Sequence, residues 1–213
     1  MSRPAGFTLI ELMIVVVLLA ILMMVAAPSV RDITLNARIT AQANDFMTDL
    51  SVARAEAVKR GGRTAMCAST TYAQCSAVPP AVGCQCTNTA WNQGWVIFSD
   101  SAPFGSIDGT DVVIKVVPAI DGAADPNPNT INSFNTPAAT IGPWIGFQPS
   151  GVTTAGGTGS ILFDLCDART TPTVAAAVAA NKARRITVTG TGRASVARCQ
   201  CDGGAATLTK RCP

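Results

Sequence analysis

The sequence contains no histidine among its 213 residues. This absence excludes catalytic sites that need an imidazole, such as a Ser-His-Asp triad, a Cys-His pair, an HExxH zinc site or a histidine-ligated haem. Charged residues make up 14% of the chain, about half of the usual quarter. Aromatic residues make up only 5%, but 48% of the chain is hydrophobic. The composition therefore excludes disorder and predicts one or two domains, with an apolar portion in a membrane.

A long uncharged run lies near the amino terminus, where residues 12–30 have the sequence LMIVVVLLAILMMVAAPSV. Nineteen helical residues span roughly 28 Å, close to the hydrocarbon core of about 30 Å. The run therefore predicts one membrane helix. The alternative is a secretory signal peptide cleaved after Ala27, which Val25 and Ala27 would suit. Pro28 after the cut and Glu11 in the apolar region are both unusual for such a peptide.

The segment before this run carries a specific motif. Residues 6–11 have the sequence GFTLIE and follow a short leader that holds Arg3. This pattern resembles the prepilin signature of type IV pilins and type II secretion pseudopilins. The resemblance implies that a prepilin peptidase cleaves between Gly6 and Phe7 on the cytoplasmic side and methylates the new Phe7 amine. Residues 1–6 would then be a leader peptide, and residues 7–30 a retained transmembrane and assembly helix.

Glu11 is a carboxylate inside this apolar helix. Such a group costs about 2.5–3.5 kcal/mol at mid-bilayer and less near the interface, so it calls for a cationic partner. The Phe7 amine, on the same subunit or on a neighbouring one, is the obvious candidate. We therefore expect Glu11 to set the register of assembly. The alternative is a Glu that merely lies at the membrane interface.

Residues 31–61 continue the helix with an amphipathic pattern. Apolar residues recur at steps of three and four, namely Ile39, Ala43, Phe46, Leu50, Ala53 and Ala57. This stripe predicts packing against a globular domain. Pro28 is expected to bend the helix, and Gly61-Gly62 to end it.

From residue 62 to residue 213 the sequence changes to short β-branched and aromatic runs separated by turn residues. The candidate strands are 63–68, 94–99, 112–117, 145–148, 160–164, 185–188 and 193–198. Residues 121–143, with four prolines and four asparagines, are expected to form a loop. These patterns predict an antiparallel sheet packed on the helix.

Several segments of this region resemble the GspH/FimT group of minor pilins and pseudopilins, which includes FimU. They are 53–60 (ARAEAVKR), 94–100 (GWVIFSD), 145–151 (IGFQPSG), 161–167 (ILFDLCD), 183–188 (ARRITV) and Gly192-Arg193. The resemblance implies an α+β, type IV pilin-like fold and a structural subunit without enzymatic activity or cofactor.

The same resemblance implies a role and an address. Resemblance to FimT and FimU implies a minor pilin that helps to initiate or cap a type IV pilus. Resemblance to GspH implies the equivalent subunit of a secretion pseudopilus. The implied partners are other pilins or pseudopilins and the prepilin peptidase. The implied location is the bacterial inner membrane, with a single crossing and a periplasmic head.

Eight cysteines indicate an oxidising compartment and up to four disulfides. The candidates are Cys67, Cys75, Cys84, Cys86, Cys166, Cys199, Cys201 and Cys212. Two Cys-Gln-Cys units are present, Cys84-Gln85-Cys86 and Cys199-Gln200-Cys201. In each unit the two thiols lie on one face of an extended strand, so we expect each thiol to reach a different element. The pairing stays open, and a zinc site made of four thiolates is the alternative. Calcium at Asp100, Asp108 and Asp111 is a further alternative, although the spacing is not that of an EF-hand.

The charges are unevenly distributed. Residues 100–167 carry a net charge of −6 (seven acids, one Lys), and residues 169–213 a net charge of +7 (eight bases, one acid). The basic residues are Arg169, Lys182, Arg184, Arg185, Arg193, Arg198, Lys210 and Arg211. All of these except Arg169 are candidate DNA contacts, because FimT resemblance implies DNA binding through a Gly-Arg-x-Arg motif. Here Gly192-Arg193-Ala194-Ser195 keeps only the first arginine, although Arg198 is a possible substitute. The alternative is that these bases face the acidic segment or keep the head soluble.

Overall fold

The computed structural model describes residues 8–76, 83–86, 91–120, 130–135, 144–154, 160–166 and 182–199. Within these residues, one α-helix, α1 (Leu9–Arg60), precedes eight strands and two short 3₁₀ helices, Tyr72–Ser76 and Trp91–Gln93. The strands are β1 (Thr64–Ala68), β2 (Trp95–Ser99), β3 (Val113–Val117), β4 (Thr130–Asn135), β5 (Trp144–Phe147), β6 (Ile161–Cys166), β7 (Ala183–Val188) and β8 (Ala194–Cys199). The chain forms two compact units, Met1–Arg38 and Ile39–Pro213.

The first unit contains the amino-terminal part of α1. Its large apolar side chains from Leu9 to Met24 are at least half exposed, apart from Val15 at 49%. Backbone helix continues through Pro28. Within the described residues, no helix combines the length and hydropathy that a membrane crossing requires.

The helix ends where the glycine pair predicted. Arg60 is its last residue, and Gly61 takes a left-handed conformation with φ of +61°. The Gly61 N–H donates to the Val58 carbonyl at 3.3 Å. Glycine adopts this conformation without the steric cost that a Cβ brings, so it is suited to stop a helix here.

The second unit holds two antiparallel four-stranded sheets, with strand orders β3-β2-β1-β5 and β4-β6-β7-β8. The prediction of a single sheet was therefore wrong. All seven predicted strands are present, with ends shifted by at most two residues. The loop predicted at 121–143 was also wrong in part, because it contains β4. All six residues of β4 pair with β6, and this pairing outweighs the low strand propensity of asparagine.

The amphipathic stripe of α1 is the centre of the core. All six predicted residues, from Ile39 to Ala57, are at most 1% exposed. They form one cluster with side chains of both sheets, including Met66, Ile145 and Ile186. The prediction of a helix packed on a β head is confirmed, and the helix serves two sheets at once.

Phe46 is the aromatic centre of this core. Its ring makes edge-on contacts with Trp91, Trp95 and Phe163, at centroid distances of 5.6, 5.1 and 4.9 Å. Edge-to-face pairs of this kind are favourable because the positive ring edge meets the negative ring face. One side chain of α1 thus joins the first sheet, the second sheet and a 3₁₀ helix.

Asp49 is an acidic residue that lies on the buried side of α1. It is only 2% exposed and accepts a hydrogen bond from Trp95 Nε1 at 2.8 Å. Its other oxygen pairs with Lys115 Nζ of β3. A buried carboxylate needs such partners to offset its desolvation, so Asp49 fixes the helix against the first sheet.

A second apolar layer covers the opposite face of the first sheet. It contains Ala65, Val96 and Phe98, together with the cysteines of two disulfides. The bonds join Cys67 to Cys86 and Cys75 to Cys84, so each thiol of the Cys84-Gln85-Cys86 unit reaches a different element, as predicted. Cys84 and Cys86 are therefore unavailable to a metal, and the zinc alternative, which needed the thiolates of both Cys-Gln-Cys units, was wrong. Cys199 is also disulfide-bonded, whereas Cys201 and Cys212 and the Cys166 side chain lie outside the described residues.

We expect Phe46→Ala to lower the free energy of unfolding by about 3–5 kcal/mol, because it removes the contacts with three aromatic rings and leaves a cavity between them. Urea titration of the detergent-solubilised chain, followed by tryptophan fluorescence, measures this loss. Asn44→Ala changes an exposed position of the same helix and is expected to stay within about 0.5 kcal/mol of the unmodified chain. Equal effects of the two substitutions would contradict the central role of Phe46.

Candidate functional site

A capping box starts the apolar helix. The Glu11 carboxylate accepts from both the Thr8 N–H and the Thr8 hydroxyl at 3.3 Å, and the Glu11 N–H donates to the Thr8 hydroxyl oxygen at 3.3 Å. Thr8 precedes the first helical residue, and Glu11 is the third, which is the Thr-x-x-Glu spacing of the motif. The residues Thr8-Leu9-Ile10-Glu11 carry this signal, although a cationic partner was the interaction expected for Glu11. Gly6, Phe7 and the leader 1–6 lie outside the described residues, and so does the Pro28 side chain.

In the second unit, three sequence motifs meet around one arginine of α1. Arg54 donates from Nε to the Gly151 carbonyl at 3.0 Å and from Nη2 to the Thr191 carbonyl at 3.2 Å. These acceptors are 97 and 137 residues away along the chain. The segments 53–60, 145–151 and Gly192-Arg193, which carried the family resemblance, are thus joined at one place.

Two glycines make this approach possible. Gly151 and Gly192 both have φ of +78°, and an added Cβ at Gly192 would lie 2.1 Å from the Gly151 carbonyl oxygen. A side chain at Gly192 would therefore meet both a backbone conformation that L-residues disfavour and a backbone atom. The arginine and the glycines form one structural junction.

A groove of about 600 Å³ lies beside this junction. We call it the α1–β8 groove, and its lining residues are Ser51, Arg54, Ala55, Val58, Lys59, Gly192, Arg193 and Ala194. Three of these side chains are cationic, and no acidic residue is among those that the structure assigns to its lining. Glu56 lies on the same helix and pairs with Arg60 at 2.7 Å and Lys59 at 3.3 Å. The hydrogen bond from Arg60, and to a lesser extent the one from Lys59, lowers the pKa of Glu56.

Two members of the predicted basic patch are buried in the head. Arg185 is 7% exposed and donates to both oxygens of Asp164 at 2.6 and 2.8 Å. The same carboxylate raises the pKa of Arg185. Arg184 is also 7% exposed and donates to the Thr40 hydroxyl of α1 at 2.9 Å. Arg185 thus pairs with an acid of the segment 100–167, as the alternative to DNA contact predicted. Arg184 connects β7 to the helix.

The other members differ from one another. Arg193 and Arg198 are exposed on or beside β8, and Lys182 is half-buried. Arg169, Lys210 and Arg211 lie outside the described residues. Of the five predicted members that the structure describes, two arginines are exposed, two are buried and the lysine is half-buried.

The acidic trio considered for calcium is occupied by protein donors. Asp111 accepts from the Ser101 and Asp108 N–H groups at 2.8 and 3.1 Å. Asp100 accepts from the Gly105 N–H at 2.8 Å and pairs with Arg63 at 2.6 Å. Burial raises the pKa of both Asp100 and Asp111. Across the described part of the chain, no cluster of acidic residues and cysteines suits a metal ion, and the calcium alternative has no support.

Comparison with known proteins gives two family matches. The family described as type II transport protein GspH matches residues 42–192, and the prokaryotic N-terminal methylation motif matches residues 1–27. Two crystal structures of the type IV minor pilin FimU from Pseudomonas aeruginosa are similar to this chain. In space group P21 the identity is 15%, the coverage 82% of this chain and 95% of that chain, and the TM-score 0.49. In space group P65 the values are 14%, 82%, 99% and 0.45. None of the curated proteins matches.

We expect Gly192→Ala to lower the free energy of unfolding by about 2–4 kcal/mol, because strain at positive φ adds to the clash with Gly151. Thermal unfolding of the full chain in detergent measures the change. Gly109→Ala is the control, since an added Cβ there meets no described atom within 4 Å. A melting temperature unchanged by Gly192→Ala would show that the two glycines are not in close contact.

Proposed function

The chain belongs to the GspH family, and we propose that it is a minor pilin that helps to initiate or cap a type IV pilus. Pilins and pseudopilins are structural subunits that assemble with other pilins, and the methylation motif marks a membrane-anchored component. The finer proposal is that a prepilin peptidase removes residues 1–6 and methylates Phe7. The periplasmic head then follows a helix that the inner membrane holds until assembly.

The observation that carries this proposal is the exposed apolar surface of the first unit. Leu9, Ile14 and Leu19 are 78%, 54% and 51% exposed, and the neighbouring apolar residues extend this surface around the helix. Soluble proteins rarely expose so large an apolar surface, since it favours a membrane or a partner. A lipid bilayer before assembly and the helices of other subunits after assembly would each cover it.

Processing is tested on the chain as cells make it. We expect the chain recovered from sheared filaments to begin at an N-methylated Phe7, as measured by mass spectrometry of its amino-terminal peptide. Gly6→Val is expected to leave a longer, unmethylated chain in the membrane fraction. A mature chain that begins at Pro28, or an uncleaved Met1 in working filaments, would overturn the proposal.

Glu11 is proposed to pair with a Phe7 amine during assembly, in addition to capping the helix through Thr8. Glu11→Gln separates these roles, because glutamine keeps the capping box but lacks the charge. Within the apolar interior of a filament, an unpaired ammonium group is costly. We therefore expect both Glu11→Gln and Glu11→Val to insert into the membrane normally but to lower recovery in filaments by more than about tenfold.

Quantitative immunoblots of membrane and sheared-filament fractions measure these ratios. Thr8→Ala is the matched control, since it weakens the cap and leaves the carboxylate in place. Normal incorporation of Glu11→Gln would show that the charge does not set the register.

A pseudopilin of a type II secretion system is the second candidate, favoured by the description of the matched family. Deletion of the coding sequence distinguishes the two roles. Loss of surface pili with intact protein secretion supports the pilus role, and the opposite pattern supports the secretion role.

DNA binding during natural transformation is the third candidate, and the exposure of Arg193 and Arg198 favours it. Two phosphate contacts would give a log–log salt slope of about −1.8 on duplex DNA. No Phe, Trp or Tyr follows Phe163 in the sequence, so such binding would be directed to the backbone rather than to bases. Absence of a gel shift with the full chain at about 50 mM salt would exclude this role.

A further inference from the structure

We propose that the α1–β8 groove docks an acidic, aliphatic segment of a neighbouring filament subunit. The inference rests on the proposed function, because it assumes a filament in which other subunits lie beside this head. It goes beyond the packing of the apolar helices by assigning a contact surface to the head itself.

The floor of the groove is apolar and accessible. Val58 is 55% exposed, Ala55 is exposed, and Ala194 is half-buried. These three side chains lie among the lining residues of the groove. Covering such a floor with aliphatic side chains removes apolar area from water, at about 25 cal/mol per Å².

The rim of the groove is positively charged. The Arg193 side chain is exposed. The Lys59 side chain is 76% exposed and pairs with Glu56 at 3.3 Å, but Glu56 also pairs with Arg60, so the two cations outnumber the one acid. Arg54 is held by backbone carbonyls that carry no net charge, so its positive charge also remains. A carboxylate-bearing segment complements these charges, and complementary charge sets both register and the choice of partner.

The groove is built on rigid elements. Arg54 joins α1 to the turns at Gly151 and Thr191, and the β7–β8 turn is closed by hydrogen bonds between Thr189 and Arg193 at 2.9 and 3.3 Å. A preformed surface loses little conformational entropy on binding. Its volume of about 600 Å³ lies within the usual range of about 300–1,000 Å³ for binding clefts, which is enough for a few side chains.

The apolar floor favours a protein segment over nucleic acid. A phosphate backbone is polar throughout and would leave Val58 and Ala55 without apolar contacts. No aromatic residue is among the described lining residues, so no stacking platform for bases lies in the groove. DNA would also use Arg193 and Arg198 alike, whereas only Arg193 lines the groove. This difference makes Arg198 a matched control.

The first experiment compares Arg193→Glu with Arg198→Glu in the full chain, expressed in its own host. Both variants reverse one exposed charge near the same strand. We expect Arg193→Glu to lower recovery in sheared filaments by about tenfold or more and Arg198→Glu to leave it unchanged. Membrane levels and non-reducing gel mobility show that each variant folds, and Arg193→Ala replaces Arg193→Glu if that variant does not accumulate.

The second experiment identifies the occupant. The photo-cross-linking amino acid p-benzoylphenylalanine replaces Val58, and in a control it replaces Val196, which is 41% exposed on β8 and does not line the groove. We expect the Val58 probe alone to cross-link to another subunit that has a methylation motif. The cross-linked position on that subunit should lie next to an Asp or Glu. Exchanging that acid for lysine should restore the assembly of Arg193→Glu.

Several outcomes would overturn the docking proposal: normal assembly of Arg193→Glu, equal loss with both arginine variants, or a Val58 cross-link to DNA or to the same chain. In each case the unmodified chain still enters filaments, so the proposed function stands. Absence of the unmodified chain from both pili and pseudopili would instead refute the proposed function.

Discussion

Burial of one stripe of α1 is the constraint on which the structure of the head depends. The stripe from Ile39 to Ala57 forms one buried cluster with side chains of both sheets. Phe46 brings three aromatic rings from different elements together, and Asp49 adds a polar connection to Trp95 and Lys115. Because neither sheet could cover its apolar face alone, the helix determines where both must lie.

Much of this arrangement could be predicted from the sequence because its signals are local. The three- and four-residue spacing of apolar residues gave the buried face of α1, and Gly61 gave its end. Short runs of β-branched and aromatic residues, separated by turn residues, predicted seven strands. The strand Thr130–Asn135 was missed because its pairing with β6 stabilises it, and pairing is not visible in a single segment. The division into two sheets was missed for the same reason.

The functional residues also divide into those with a local sequence signal and those that depend on long-range contacts. Thr8 and Glu11 form a capping box whose signal is four residues long, so the sequence alone could have identified it. The contact of Arg54 with Gly151 and Thr191 joins positions that are far apart in the chain, and no local pattern predicts it. Arg184 and Arg185 looked like surface bases because charge is counted without burial, yet both are inside the head.

The long separation between Arg54 and its acceptors also governs when the head can form. The helix emerges first, but the carbonyls that it needs belong to residues near the end of the described chain. Closing contacts across such distances is slow, since loop entropy is lost before the contacts form. The buried stripe of α1 must therefore stay uncovered until the last described strands have been synthesised, and during that time it is open to aggregation.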